Sequence, residues 1–189
     1  EGEPTRIDTL RITGLDGAIS GERARDLVPL SAGDPLDLTR LQTGENEIVT
    51  HLRNNGYPEA VVLREYFIPS DEPGGRVTLT VEPGPRTWIG AVEVTGAQSL
   101  SPAVVRRFLD VNEGDLYRQE RILEGQRNLY GLEAIQYANI QTSPVTEPDS
   151  LYRLTAEITE ASMRRRRSRP SMPRSSATNS RYSRTSMSR

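Results

Sequence analysis

The side chains that most often carry out chemistry are scarce in this chain of 189 residues. There is no cysteine, and the one histidine is His51, between Thr50 and Leu52. A serine triad would use such a histidine as its base, but the Gly-x-Ser-x-Gly turn that presents the nucleophile does not occur. We interpret His51 as a surface residue of a helix. The sequence therefore predicts no catalytic site, and an enzyme is the least favoured class of protein.

Two Gly-Asp pairs are the nearest approach to a phosphate-binding loop. They are Gly33-Asp34 and Gly114-Asp115. Neither pair has the glycine spacing with which a backbone encloses a phosphate. We therefore interpret both as turns, in which glycine permits a positive φ and aspartate accepts hydrogen bonds.

Neighbouring acidic residues are the only candidate metal ligands. Examples are Glu45 with Glu47, and Asp71 with Glu72. No calcium-loop pattern surrounds either pair, so we interpret them as solvated surface. The sequence predicts no metal and no cofactor.

Charge divides the chain into two parts. All 26 acidic residues lie at or before Glu160, whereas nine of the 24 arginines follow it, and there is no lysine. The acidic body disfavours nucleic acid as a partner. Residues 162–189 are rich in Arg and Ser and are predicted to be disordered. This tail resembles a gene read in a shifted frame or an end added by cloning. The alternative is a genuine basic arm that binds nucleic acid or membranes.

An internal repeat defines the organisation of the body. Residues 5–14 and residues 87–96 both read T-x-I-x-x-[L/V]-x-[I/V]-T-G, and a Gly-Asp pair follows each copy. Such a repeat is the signature of duplicated structural units. It predicts a first module over residues 1–83 and a second over residues 84–161, with the tail after them.

Hydrophobic periodicity predicts the order β-α-α-β-β in each module. The step from Ile7 to Leu10 breaks strict alternation and predicts a bulge in the first strand. Ser20 is expected to cap a short helix, and a longer one is expected over Leu38–Asn54. The fold class is thus α+β, with each module a three-stranded mixed sheet covered on one face by two helices. Trp88 is interpreted as a packing residue between the modules, whose short proline-containing connection predicts a restricted relative angle.

Sheet edges are the binding feature that remains. Three strands leave two edges with unpaired main-chain groups, and such an edge can accept an extended segment of another chain. An edge can equally be tolerated surface with no partner. The sequence leaves both alternatives open.

The motifs together resemble the POTRA (polypeptide-transport-associated) domain. The first copy supplies Gly33-Asp34 and the G-Y-x-x-A-x-V pattern at residues 56–62. The second supplies residues 114–117 and 126–130, and departs from the pattern at residues 132–135, where the family often has glycine and an aromatic residue. The resemblance covers nearly all of the body.

The resemblance implies a location and partners. POTRA domains occur in tandem in the periplasm of a Gram-negative-type envelope, joined to an outer-membrane β-barrel of the BamA and TamA type or to two-partner secretion transporters. The implied partners are unfolded outer-membrane or secreted polypeptides, periplasmic accessory proteins and the protein's own C-terminal β-barrel, with the second module nearest the barrel. A structural spacer without substrate contact is the alternative.

The resemblance also nominates a binding surface, because the family commonly uses the edge of the second strand and the groove beside the second helix. In the first module these are Ala60, Val61, Val62, Leu63, Arg64 and Tyr66, with Ile48 and Leu52 from the helix. In the second module they are Gln136, Tyr137, Ala138, Asn139, Ile140 and Gln141, with Gln126 and Leu129 from the helix.

Overall fold

Both halves of the chain form the same succession of elements in the computed structural model, which describes residues 5–69, 74–145 and 150–161. The first module consists of β1 (Arg6–Thr13), α1 (Gly21–Asp26), α2 (Leu38–Asn54), β2 (Val61–Phe67) and β3 (Gly74–Glu82). The second consists of β4 (Trp88–Thr95), α3 (Pro102–Leu109), α4 (Gln119–Tyr130), β5 (Ile135–Pro144) and β6 (Leu151–Glu160). The predicted order is confirmed. The predictions for the tail and for Asp71 and Glu72 lie outside the described residues.

Each module has its own three-stranded mixed sheet, in which the last strand is central. The strand orders are β1-β3-β2 and β4-β6-β5. β1 runs parallel to β3, and β2 runs antiparallel to it, and the second sheet repeats this arrangement. The two helices of each module connect its first and second strands and pack on one face of the sheet, where each module buries a separate apolar core.

The predicted bulge is present in both first strands. The register shifts between Ile7 and Thr9 in β1, and between Ile89 and Ala91 in β4. The extra residue turns the next apolar side chain back towards the helices, so that Ile7 and Leu10 both pack on the core despite their odd spacing.

Side chains cap three of the four helices, and the predicted cap at Ser20 is confirmed. The Ser20 hydroxyl accepts from the amide of Arg23 at the start of α1, and Ser101 caps α3 in the same way. Asp37 caps α2. Arg118 occupies the same place before α4 and makes no side-chain cap bond. Side-chain oxygens satisfy the free amides at a helix start, and arginine has none to offer.

The longer helix of each module has a glycine where it approaches the backbone at, or just after, the end of the shorter helix. A Cβ at Gly44 in α2 would lie 2.9 Å from Cα of Val28, and a Cβ at Gly125 in α4 would overlap the carbonyl oxygen of Leu109. Backbone atoms cannot yield to such a contact as a flexible side chain can. Glycine at these two equivalent positions therefore sets the distance between the longer helix and the backbone at the end of the shorter one.

The side chain of Glu160 fixes the end of β6. Its carboxylate accepts from the amides of Gln98 at 2.8 Å and Leu100 at 2.9 Å, and also from the amide and hydroxyl of Ser99. These hydrogen bonds lower the pKa of Glu160 to about 2. The bond from Leu100 is the largest cause, and those from Ser99 and Gln98 follow. The loop before α3 is thereby tied to the point where the chain leaves the second sheet.

We predict that Gly125→Ala destabilises the protein by about 1–3 kcal/mol, because overpacking of backbone against backbone outweighs the higher helix propensity of alanine. Gly21→Ala is the control, since a Cβ there meets only Leu15 at an ordinary 3.7 Å. Urea unfolding measures both free energies. Equal stability of the two variants would contradict the proposed close approach.

We also predict that Glu160 titrates far below the ordinary pKa of a glutamate side chain. Its folded pKa lies below the ordinary value of 4.5, so its contribution to stability is present above about pH 4.5 and is lost as the pH falls towards 2. Carboxyl ¹³C NMR titration should show a signal with a midpoint near 2 that is missing from Glu160→Gln. A midpoint of pH 4 or higher for the signal that this substitution removes would contradict the hydrogen bonds described for the Glu160 carboxylate.

Candidate functional site

The two Gly-Asp pairs are turns, and they cover part of one sheet edge. Gly33 has a φ of 95°, which favours glycine. Its amide donates to the carbonyl of Ile7 at 2.7 Å, and the amide of Ile7 donates to the carbonyl of Asp34 at 2.9 Å. The Asp34 carboxylate accepts from the amide of Ser31, which closes the turn. The start of β1 therefore has a main-chain partner on its outer side.

The second module repeats this arrangement. Gly114 donates to the carbonyl of Ile89 at 2.7 Å, and Ile89 donates to the carbonyl of Asp115 at 2.8 Å. In both modules the first strand is thus partly covered. Within the described residues, β2 and β5 pair on one side only, with β3 and β6 respectively. The candidate functional site is therefore the outer edge of β2 and of β5.

The residues of β2 divide between the two faces of the sheet. Val62, Arg64 and Tyr66 pair with the buried residues Val81, Leu79 and Val77 and so lie on the side of the helices. The alternate residues lie on the opposite side, which we call the open face. On β2 the open face consists of Val61, Leu63, Glu65 and Phe67. The sequence prediction had combined both faces in a single surface.

Five of the predicted binding residues are core residues. These are Ile48, Leu52, Ala60, Leu129 and Ala138, each with 0% of its surface exposed. Their apolar side chains pack between the helices and the sheet, so they cannot touch a bound segment in this conformation. The expected apolar groove beside the second helix is therefore wrong for these residues, and we exclude them from the candidate surface.

Polar contacts occupy the place of the expected groove. In the first module, a guanidinium nitrogen of Arg64 lies 3.1 Å from a carboxylate oxygen of Glu45, whose side chain is only 14% exposed. Glu45 is therefore not the solvated residue that its sequence context predicted. In the second module, Gln126 stands at the equivalent position and donates to the carbonyl of Ala138 at 2.9 Å. Each module thus links its second helix to its second strand through one polar side chain.

The open faces of the two modules differ in polarity. On β2, Val61, Leu63 and Phe67 are 43%, 51% and 58% exposed. The guanidinium carbon of Arg76 lies 5.3 Å from the centre of the Phe67 ring. On β5 the corresponding side of the strand carries Tyr137, Asn139, Gln141 and Ser143. The open face of the second strand is thus largely apolar in the first module and largely polar in the second.

Phe67 is the member of this surface that the sequence prediction missed. It ends β2 and continues the alternation of Val61 and Leu63. The alternation of apolar residues with a period of two could have predicted Phe67 from the sequence. Gln136, which the prediction included, lies at an irregularity in the register between Ile135 and Tyr137. Ile140 belongs to the helix side, where it packs partly buried against the second core.

The two other singled-out residues have ordinary surroundings. His51 is half-buried in α2, and burial, with the charge of Arg23 as a smaller cause, lowers its pKa. Trp88 is 37% exposed, with the guanidinium carbon of Arg86 5.7 Å from its ring centre. The hydrogen bonds between the modules, described below, are made by other residues.

Two further properties bear on the class of protein. In the described ranges, no three His, Asp or Glu side chains come close enough together to hold a metal ion. Among the helices described, none is both long enough and apolar enough to cross a membrane.

Comparison with protein families gives two matches within the chain. The POTRA model, described as "Surface antigen variable number repeat", matches residues 5–84 and again residues 88–161. The chain belongs to the POTRA family. Among curated protein sequences, none matches the chain.

Solved POTRA structures share the fold at low sequence identity. POTRA domains 3–5 of BamA from Haemophilus influenzae superpose with a TM-score of 0.70 at 19% identity, over 85% of this chain and 63% of that one. BamA of Haemophilus ducreyi lacking POTRA domains 1–3 superposes with a TM-score of 0.73 at 18% identity, over 82% of this chain and 29% of that one. POTRA domains 1–2 of Omp85 from Anabaena superpose with a TM-score of 0.50 at 16% identity, over 80% of this chain and 93% of that one. The chain thus spans less than two thirds of either BamA chain, and at these identities the likeness is one of fold.

Proposed function

We propose that this tandem POTRA pair is a periplasmic region that binds and scaffolds polypeptides for an outer-membrane protein assembly or translocation factor. It receives extended segments of unfolded outer-membrane or secreted proteins by strand addition. The observation that carries the proposal is the outer edge of β2, which lacks a main-chain partner in the described structure and is flanked by exposed apolar residues.

An exposed apolar edge is a liability unless it has a use. Sheet proteins protect such edges with lysine, proline, bulges or a covering loop, because free main-chain groups invite pairing with other chains. β1 and β4 have the Gly-Asp turns as covers. β2 has no proline and no register irregularity, its charged residues are only Arg64 and Glu65, and its apolar residues Val61, Leu63 and Phe67 alternate along the open face. These features favour a strand that pairs with a partner during its function.

The geometry of β2 indicates which segments it prefers. A strand added at this edge continues the pleat, so its alternate residues lie on the open face beside Val61, Leu63 and Phe67. The residues between them lie on the helix side, near the ion pair of Arg64 with Glu45. Segments that alternate apolar and polar residues fit this arrangement. Strands of outer-membrane β-barrels have that alternation.

The second module is suited to a more polar partner. The edge of β5 presents main-chain groups as β2 does, but its open face contains Asn139, Gln141 and Ser143. We therefore assign capture of apolar segments to the first module. Periplasmic accessory proteins are the partners that we assign to the second, which lies nearest the barrel of a longer parent protein.

A structural spacer is the second candidate function. Direct hydrogen bonds between the modules favour it, since a fixed angle would hold a barrel at a set distance from accessory proteins. A spacer would bind a folded partner and no extended peptides. The same domains in a two-partner secretion transporter would differ in the substrate, which is a secreted protein.

We predict that the full chain binds a labelled nine-residue peptide with alternating apolar residues more tightly than a scrambled peptide of the same composition. Leu63→Thr should weaken this binding about three- to tenfold, because part of a buried leucine contact is lost. Gln141→Thr is the matched control, since Gln141 lies on the open face of β5 as Leu63 lies on that of β2, and it should leave the affinity unchanged. Fluorescence anisotropy measures each dissociation constant.

Two outcomes would count against substrate capture at β2. One is equal affinity for the alternating and scrambled peptides. The other is an equal loss of affinity in the two variants. Absence of peptide binding, together with binding of a folded accessory protein, would favour the spacer.

A further inference from the structure

The end of α2 and the loop after it make direct contact with the second module. The amide of Glu120 donates to the side-chain oxygen of Asn54 at 2.9 Å. The hydroxyl of Tyr152 donates to the carboxylate of Glu59 at 2.7 Å. The amide of Thr87 donates to the carbonyl of Gly56 at 2.7 Å. We call these contacts the junction.

The bond from Glu120 to Asn54 compensates for a cap that α4 lacks. The first amides of any helix have no partner within it. In α2 the side chain of Asp37 accepts from the amides of Thr39 and Arg40. In α4 the equivalent residue is Arg118, which makes no such bond. The oxygen that accepts from the first turn of α4 belongs to Asn54 of the other module.

The rest of the junction is closely packed around this bond. A Cβ at Gly56, where φ is 99°, would lie 2.7 Å from a methyl carbon of Leu116. The ring of Tyr152 contacts that of Tyr117 edge to face, with 5.8 Å between centres. Burial first, and then the carboxylate of Glu59, raise the pKa of Tyr152 to about 12. The hydroxyl therefore remains protonated, and can donate, throughout the neutral pH range.

We propose that the first module completes the second: Asn54 caps α4 from the neighbouring module, and with the bond from Tyr152 to Glu59 it holds the two modules at one angle. The pair is then a single mechanical unit, and the second module on its own lacks a stabilising group. The inference concerns the junction alone and holds whether or not β2 captures substrate.

The test uses the full chain with Asn54→Ala. Loss of a helix cap should make the amide of Glu120 exchange with solvent about fivefold faster, as measured by NMR. Residual dipolar couplings should show a wider range of angles between the modules. Asn55→Ala is the control, because the side chain of Asn55 donates to the carbonyl of His51 within its own helix. It should change neither measurement.

A compensating variant separates the cap from the connection between modules. Asn54→Ala combined with Arg118→Asp restores a capping side chain within α4, as Asp37 supplies one in α2. It should return the exchange rate of Glu120 to that of the parent but leave the range of angles between the modules as wide as in Asn54→Ala. If Asn54→Ala does not fold, recovery of the fold in this double variant supports the proposal, and failure to recover overturns it.

The proposal is also overturned if Asn54→Ala leaves both the exchange of Glu120 and the angle between the modules unchanged. The same holds if Asn55→Ala produces the same changes as Asn54→Ala, since the effect would then belong to the end of α2 in general.

Discussion

The parallel pairing of the first and last strands is the constraint on which the rest of each module depends. Parallel neighbours cannot be joined by a tight hairpin, so a long connection has to lie between them. In this protein the connection contains two helices and the remaining strand, which pairs antiparallel on the far side of the central strand. That strand, β2 or β5, is thereby left at an edge. The Gly-Asp turn covers part of the opposite edge, and so the fold itself selects the edge that stays open.

The two modules share this arrangement of strands and helices, but the surfaces that they expose differ in chemistry. Both modules keep the bulge, the Gly-Asp turn and the glycine at which the longer helix approaches the backbone at the end of the shorter one. They differ at solvent-facing positions, since the open face of β2 has Leu63 whereas that of β5 has Asn139 and Gln141. They also differ at the start of the longer helix, where Asp37 corresponds to Arg118. The first difference separates the binding preferences of the modules, and the second makes one module depend on the other.

The sequence was sufficient for the elements but not for their surroundings. Local signals predicted the order of the elements along the chain, the bulge after Ile7 and the cap at Ser20, because spacing and turn chemistry act over a few residues. Leu38, Leu41, Ile48 and Leu52 are spaced to form one apolar stripe on α2, which predicted that one face of the helix is buried. The stripe could not show that Ile48 and Leu52 are sealed beneath the sheet, nor that Leu38 on the same stripe is 48% exposed. Those distinctions depend on which strand lies opposite, as does the pairing of Glu45 with Arg64.

We propose above all that an extended segment pairs with β2 through the main chain. The most direct measurement is the set of cross-strand nuclear Overhauser effects between an isotope-labelled full chain and an unlabelled bound peptide of alternating pattern. If the peptide pairs with β2 as proposed, contacts are expected at alternate positions from Val61 to Phe67, with the apolar residues of the peptide near Leu63. Contacts confined to the helices, or a pattern without a period of two along β2, would contradict it.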